Sequence, residues 1–171
     1  MRGCKTVLIM RVSALCLMMN LLATVGFSAG NTERCVASIG GFCPPTWSPW
    51  GDKCYKVTKS QTLAWQEAKE ACLALGGAMV VPCSDEETMF LETLQSQTWI
   101  GCNDLQTEGT WVCREGATYV AYRNWDKREP NNVKGLEHCA VIKKCGRWTD
   151  VPCDEQYPAV CTRPTQHKLH M

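Results

Sequence analysis

The sequence predicts an α+β domain: two helices, short antiparallel strands and one long loop, stapled by disulfides. Three observations carry that reading. Cysteine is dense, thirteen in 171 residues and eleven of them behind an N-terminal segment of secretory type. Two stretches repeat apolar residues at three and four, among short strand-like runs bounded by glycine and proline. Residues 114–136 contain glycines, Pro130 and polar side chains but no period. A loop of that length in a compact domain is usually functional.

The N-terminal segment comes first. Arg2, Lys5 and Arg11 precede a mostly apolar run over residues 12–25, and small residues follow at Gly26, Ser28, Ala29 and Gly30. This is the pattern of a signal peptide, placed at residues 1–30, and it predicts an extracellular protein. About 14 apolar positions fall short of the roughly 18 or more that a spanning helix needs, so no membrane insertion is expected. Without the segment the net charge is −2, and no basic patch is left to suggest nucleic acid. Cys4 and Cys16 fall inside it, so eleven cysteines remain. That density in a secreted domain reads as a disulfide framework. Eleven is odd, so at least one thiol is free, capped, or shared with another chain.

Residues 31–42 are a short polar leader carrying Cys35. Residues 43–55 read as two short strands around a turn, because Pro44, Pro45 and Gly51 exclude helix. Cys43 and Cys54 are close enough in sequence for a local disulfide. Residues 62–75 read as the first helix. Thr62 is placed to cap it, Ala64, Trp65, Ala68, Ala71, Cys72 and Leu75 line one face, and Gly76-Gly77 ends it. Residues 78–81 form a short buried strand. Ser84 followed by Glu87 is a capping-box pattern. It opens the second helix, with Phe90, Leu91 and Leu94 turned inward. Residues 99–102 and 110–113 read as two strands joined at Gly109, with Cys102 and Cys113 at matching positions for a cross-strand bond. Residues 139–142 and 147–149 form a hairpin, residues 157–161 the last strand, and residues 164–171 a tail with His167 and His170. Trp65, Trp99, Trp111 and Trp148 read as core. No N-x-S/T sequon occurs.

The long loop and the hairpin after it concentrate oxygen donors. Asn124, Asp126, Glu129, Asn131, Asn132, Glu137 and Asp150 lie between Asn124 and Cys153. Such a set of hard oxygens suits Ca²⁺, which takes 6–8 oxygen ligands. Soft-metal spacing is absent, and His138 reads as a bystander beside Glu137. A hydrolase carboxylate pair could be built from Glu129 with Glu137 or Asp150. The intervening proline and asparagine fit a metal shell better than a raised catalytic pKa. Neither G-x-S-x-G nor H-E-x-x-H is present, and no enzyme is expected.

These residues resemble the C-type lectin-like domain family. The resemblance rests on Glu129-Pro130-Asn131, on Glu137 two residues before Cys139, and on Trp148-Thr149-Asp150 before Cys153. It extends to Trp99-Ile100-Gly101 and to Cys43 and Cys54-Tyr55, covering residues 43–163. The resemblance implies the C-type lectin fold with a long calcium-binding loop. It implies the pairs Cys43–Cys54, Cys72–Cys161 and Cys139–Cys153, and leaves Cys35, Cys83 and Cys145 beyond the family's common set. Cys83–Cys145 is a possible pair, and Cys35 a possible link to a second copy. The resemblance further implies Ca²⁺ at Glu129, Asn131, Glu137 and Asp150, which also contact sugar. The order Glu-Pro-Asn implies mannose-type glycans, with equatorial hydroxyl pairs, and a cis Pro130. Thr149 stands where the family has Asn, which implies a weaker site. An accessory calcium would involve Asp104, Glu108, Asn132 and Glu137. The alternative is a domain of this fold that binds protein or another non-sugar ligand without calcium.

Overall fold

The computed structural model describes residues 41–58 and 62–166, all within the unit Ile39–Met171. The expected signal peptide, most of the leader with Cys35, and His167 and His170 lie outside the described residues. Among the described residues, no helix is long and apolar enough to cross a membrane.

The chain begins with a hairpin of β1 (Ser48–Trp50) and β2 (Lys53–Val57), turning at Gly51 with φ +57. Helix α1 (Trp65–Ala74) follows, then β3 (Ala78–Met79) and helix α2 (Asp85–Leu94). Strands β4 (Thr98–Asn103), β5 (Val112–Glu115) and β6 (Thr118–Tyr119) form a meander. After the long loop come β7 (Cys139–Ile142), β8 (Trp148–Val151) and β9 (Val160–Pro164). One sheet has the order β1-β2-β9-β3 and the other β6-β5-β4-β7-β8. The ends of the described chain meet: Phe42 and Gln166, expected in leader and tail, exchange backbone hydrogen bonds of 2.9 and 3.0 Å.

The central strands β4 and β7 of the five-stranded sheet are buried on both faces. Successive strand residues point to opposite sides, so Ile100, Ala140 and Ile142 join one apolar cluster with Tyr55, Leu91 and Trp148. Trp99, Val141 and Val151 join the other, with Trp65, Ala68 and Cys72 of α1. This is why β4 and β7 read as continuous apolar runs. At Gly101 three strands close in, and a Cβ there would lie 2.4 Å from the Arg114 carbonyl oxygen.

Several expectations are corrected. Helix α1 starts at Trp65, and its N-cap is Ala64, not Thr62. The end is closed by Glu67, whose carboxylate accepts the Ala64 N–H at 3.0 Å. Trp65, Ala68 and Cys72 are buried, but Leu75 is exposed. Helix α2 keeps the Ser84 cap, which accepts from Glu87 N at 3.2 Å. The Glu87 side chain does not complete the box; it points into the core. The last strand lies three residues later than expected, because Tyr157 pairs separately with Leu63. The loop read as starting at residue 114 first forms β6, paired with β5.

Four expected disulfides are present: Cys43–Cys54, Cys72–Cys161, Cys102–Cys113 and Cys139–Cys153. The suggested Cys83–Cys145 pair is not. Cys83 is an exposed free thiol at the start of α2, while Cys145 is engaged in a disulfide.

Candidate functional site

Strand β8 and the loop before it build the site together. Trp148 N donates to the Asn124 carbonyl at 2.9 Å, and Asp126 N donates to the Trp148 carbonyl at 2.8 Å. The base of the loop thus runs beside β8, closed at the other side by Cys139–Cys153. Asn124 also accepts from Arg147 and donates to the Gly146 carbonyl, and among the described residues the Asp126 carboxylate accepts only its neighbour's N–H. Both frame the loop and lie outside the donor cluster. Trp125 is packed edge-on against Trp111 and Trp148, with centroids 4.6 and 5.7 Å away.

Asp150 is the anchor. It is buried on β8. Its two oxygens accept the Asn131 N–H at 3.0 Å each, and Oδ2 accepts the Asn132 N–H at 2.7 Å. The loop crest is thereby fixed against the sheet, with Asn132 in the left-handed region at φ 44, where asparagine is tolerated. Glu137 closes the crest from below. Its Oε2 accepts from Val133 N at 2.9 Å, and its own N–H donates to Asn132 Oδ1 at 3.0 Å.

Glu129 and Asn131 flank Pro130, whose preceding peptide bond is cis. Asn131 Nδ2 donates to Glu129 Oε1 at 2.8 Å. Glu129 Oε2 is buried with no hydrogen-bond donor. Burial and the facing carboxyl of Asp150 push the Glu129 carboxyl up, with Glu137 adding charge, while the Thr149 hydroxyl pulls the other way. Two carboxyl groups face each other here, acceptor against acceptor. A hard cation would relieve both the orphaned oxygen and the repulsion. Three carboxylates, an amide oxygen and a hydroxyl are donors of the type Ca²⁺ takes, so the residues present fit that ion.

A second cluster lies on the far side of Asn132. Asn132 Nδ2 donates to Glu108 Oε2 at 2.5 Å. Asp104 is buried, and its Oδ2 accepts from Gly109 N at 2.8 Å. His138 Nδ1 lies 3.1 Å from Asp104 Oδ1 and 3.3 Å from Glu108 Oε2. The structure therefore brings Asp104, Glu108 and Asn132 together, but Glu137 Oε2 is turned to Val133. His138 is no bystander. Its position beside Glu137 was the only hint, since Asp104 and Glu108 lie some thirty residues away in sequence.

A lectin fold with this loop geometry defines the class, and the comparisons agree. The Lectin C-type domain model matches residues 61–163, and the chain belongs to that family. The chain is 35% identical over 136 residues to human C-type mannose receptor 2, covering 76% of this chain and 9% of that protein. It thus spans about a tenth of that relative's length. Ladderlectin of Oncorhynchus mykiss is 33% identical over 140 residues, covering 76% of this chain and 73% of ladderlectin. The structure resembles the cow CD23 carbohydrate-recognition domain, solved in the presence of GlcNAc2Man3 oligosaccharide, with TM-score 0.68 and 30% identity over 75% of this chain and all of that one. It also resembles a calcium-independent type II antifreeze protein, with TM-score 0.68 and 25% identity over 74% of this chain and 97% of that one.

Proposed function

We propose that the protein is a secreted lectin that binds mannose-type glycans through calcium held by Glu129, Asn131, Glu137 and Asp150, with Thr149 beside them. The observation that carries this reading is the buried, donorless Glu129 Oε2 facing Asp150. When bound, calcium supplies a centre whose shell two adjacent sugar hydroxyls complete. The side chains do the rest. Glu129 and Glu137 accept hydroxyl protons, and the Asn131 amide donates to a sugar oxygen. The Glu129-Pro130-Asn131 order supports equatorial hydroxyl pairs, by the family resemblance. The signal-peptide pattern and the disulfides support an extracellular setting, and the odd cysteine count supports a disulfide-linked homodimer. Nothing in the site suggests bond-breaking chemistry, so the protein is read as a binder and not an enzyme. An accessory cation at Asp104 and Glu108 is also proposed, with Asn132 beside it and Glu137 turned to Val133.

A second reading is a calcium-independent binder of a non-sugar ligand. Thr149, which offers one hydroxyl where the family pattern has an amide, and the likeness to the calcium-independent antifreeze protein favour it. A glycan array with and without chelator separates the two. The first reading predicts mannose-class signals that vanish with chelator; signals that persist, or none at all, favour the second.

A further inference from the structure

We propose that Asp104, Glu108 and His138 form a site for a borderline divalent cation of the Zn²⁺ class, distinct in metal preference from the calcium loop. One carboxylate oxygen from each acid and His138 Nδ1 all lie within 4.8 Å of one another. The two His138 Nδ1 separations, 3.1 Å to Asp104 and 3.3 Å to Glu108, are near the edge length of a tetrahedral shell. Bonds of about 2.0–2.1 Å to zinc place neighbouring ligands roughly 3.3–3.4 Å apart. Three protein ligands facing solvent on one side leave a fourth position for water, the pattern of open zinc sites.

Ligand chemistry selects the metal class. Calcium takes six to eight oxygens and no imidazole. Imidazole with carboxylates suits zinc, copper or nickel. The supply of further oxygens is also short here. Asn132 turns its NH₂ toward Glu108 and gives its oxygen to Glu137 N–H, and Glu137 Oε2 is held by Val133 N–H. Two carboxylates balance the charge of one divalent ion.

The ligands are also held from outside. Gly109 N–H fixes the second oxygen of Asp104, and Asn132 Nδ2 orients Glu108. Asp104 N donates to the His138 carbonyl at 3.1 Å, so the two ligands' backbones are locked side by side. Outer partners of this kind are worth about 10–100-fold in metal affinity. Asp104 is 3% exposed, whereas the His138 and Glu108 side chains are 31% and 57% exposed. Zinc would pin the turn after β4 to the start of β7. Asn132 reaches Glu108 with its side chain and Asp150 with its backbone, so that pin adjoins the calcium loop.

The test is zinc binding to the full chain, by competition with a chromophoric zinc chelator in excess Ca²⁺, with Co²⁺ substitution to read coordination from visible absorption. His138→Ala and Glu108→Gln, both partly exposed and safe for folding, should each weaken zinc at least about tenfold. His167→Ala/His170→Ala and Cys83→Ser should leave it unchanged, which excludes the tail and the free thiol. Glu129→Gln should leave zinc binding intact, so the inference stands or falls apart from the calcium reading. Wild type that binds no zinc, or His138→Ala that binds it as tightly, overturns the site and leaves three hydrogen-bonded side chains. Co²⁺ bound without a tetrahedral spectrum overturns the geometry.

Discussion

Glu129 is set in a position that disfavours its charged form in the folded chain and that a bound cation would favour. Its carboxyl is pushed up by burial and by Asp150. A carboxyl raised in the folded state adds stability only below its ordinary value of 4.5, and that contribution is lost as pH rises through the raised value. At neutral pH and without calcium, ionised Glu129 therefore weakens the loop. Glu129→Gln should melt at or above wild type in chelator, yet gain nothing from calcium, as read by thermal denaturation in both conditions. A variant that still gains from calcium would move the ion elsewhere. Thr149→Asn should act in the opposite sense. An amide adds reach and a second donor, and one hydrogen bond to a charged site is worth about 1.5–3 kcal/mol. Isothermal titration should then show calcium and mannose both bound roughly ten- to a hundredfold tighter. Equal binding would mean that Thr149 already completes the shell. At this scale the sequence shows the contacts that join near neighbours in the chain. Glu129 and Asn131 meet across one proline. His138 was misread because its partners are brought to it only by the pairing of β4 with β7.

Helix α2 shows why elements were easier to find than to anchor. Its start was legible in Ser84, and its inward face in Phe90, Leu91 and Leu94. Its tether was not. Glu87 is fully buried and accepts from Tyr55 Oη at 2.5 Å, from Lys53 Nζ at 3.1 Å and from Cys83 N at 2.8 Å. Lys53 also meets Glu115 at 2.9 Å, so one network joins β2, α2 and β5. Burial alone would raise the Glu87 carboxyl, but hydrogen bonds from Tyr55 and Cys83 and the Lys53 charge hold it below its usual value. A lowered carboxyl stabilises above its unfolded value, 4.5, and loses that contribution as pH falls through the folded one. Glu87→Ala should cost about 3–5 kcal/mol at neutral pH, because it orphans buried partners. In urea titrations the deficit should shrink below pH 4.5; a constant deficit would mean that Glu87 acts by packing alone. Strand β6 and the start of β9 escaped the sequence for a related reason. The two residues of β6 have no period to show, and β9 begins late because Tyr157 is drawn to Leu63 by tertiary contact.

For the whole molecule, the disulfide frame was legible because three pairs follow from the family resemblance, and Cys102 and Cys113 lie opposite each other on a hairpin. The three remaining cysteines follow from neither, and there the expected Cys83–Cys145 pair failed. Cys83 is free and exposed among the described residues. A non-reducing gel should show a dimer that Cys83→Ser abolishes. A dimer that survives Cys83→Ser and disappears with Cys35→Ser would transfer the link to the leader, and a wholly monomeric wild type would end the proposal. Dimerisation bears on function, since linking two shallow sites raises avidity by about 10²–10⁴ where geometry permits.

Calcium should stabilise the whole domain by mass action, by about 2.7 kcal/mol at one hundred times its dissociation constant. The most direct measurement is calorimetry of the purified protein with Ca²⁺, followed by mannose and galactose, on wild type and Glu129→Gln. The account predicts that wild type binds calcium, then mannose in preference to galactose, that mannose gives no heat without calcium, and that Glu129→Gln does neither. Mannose heat in chelator, or a wild type that takes up no calcium, would contradict it.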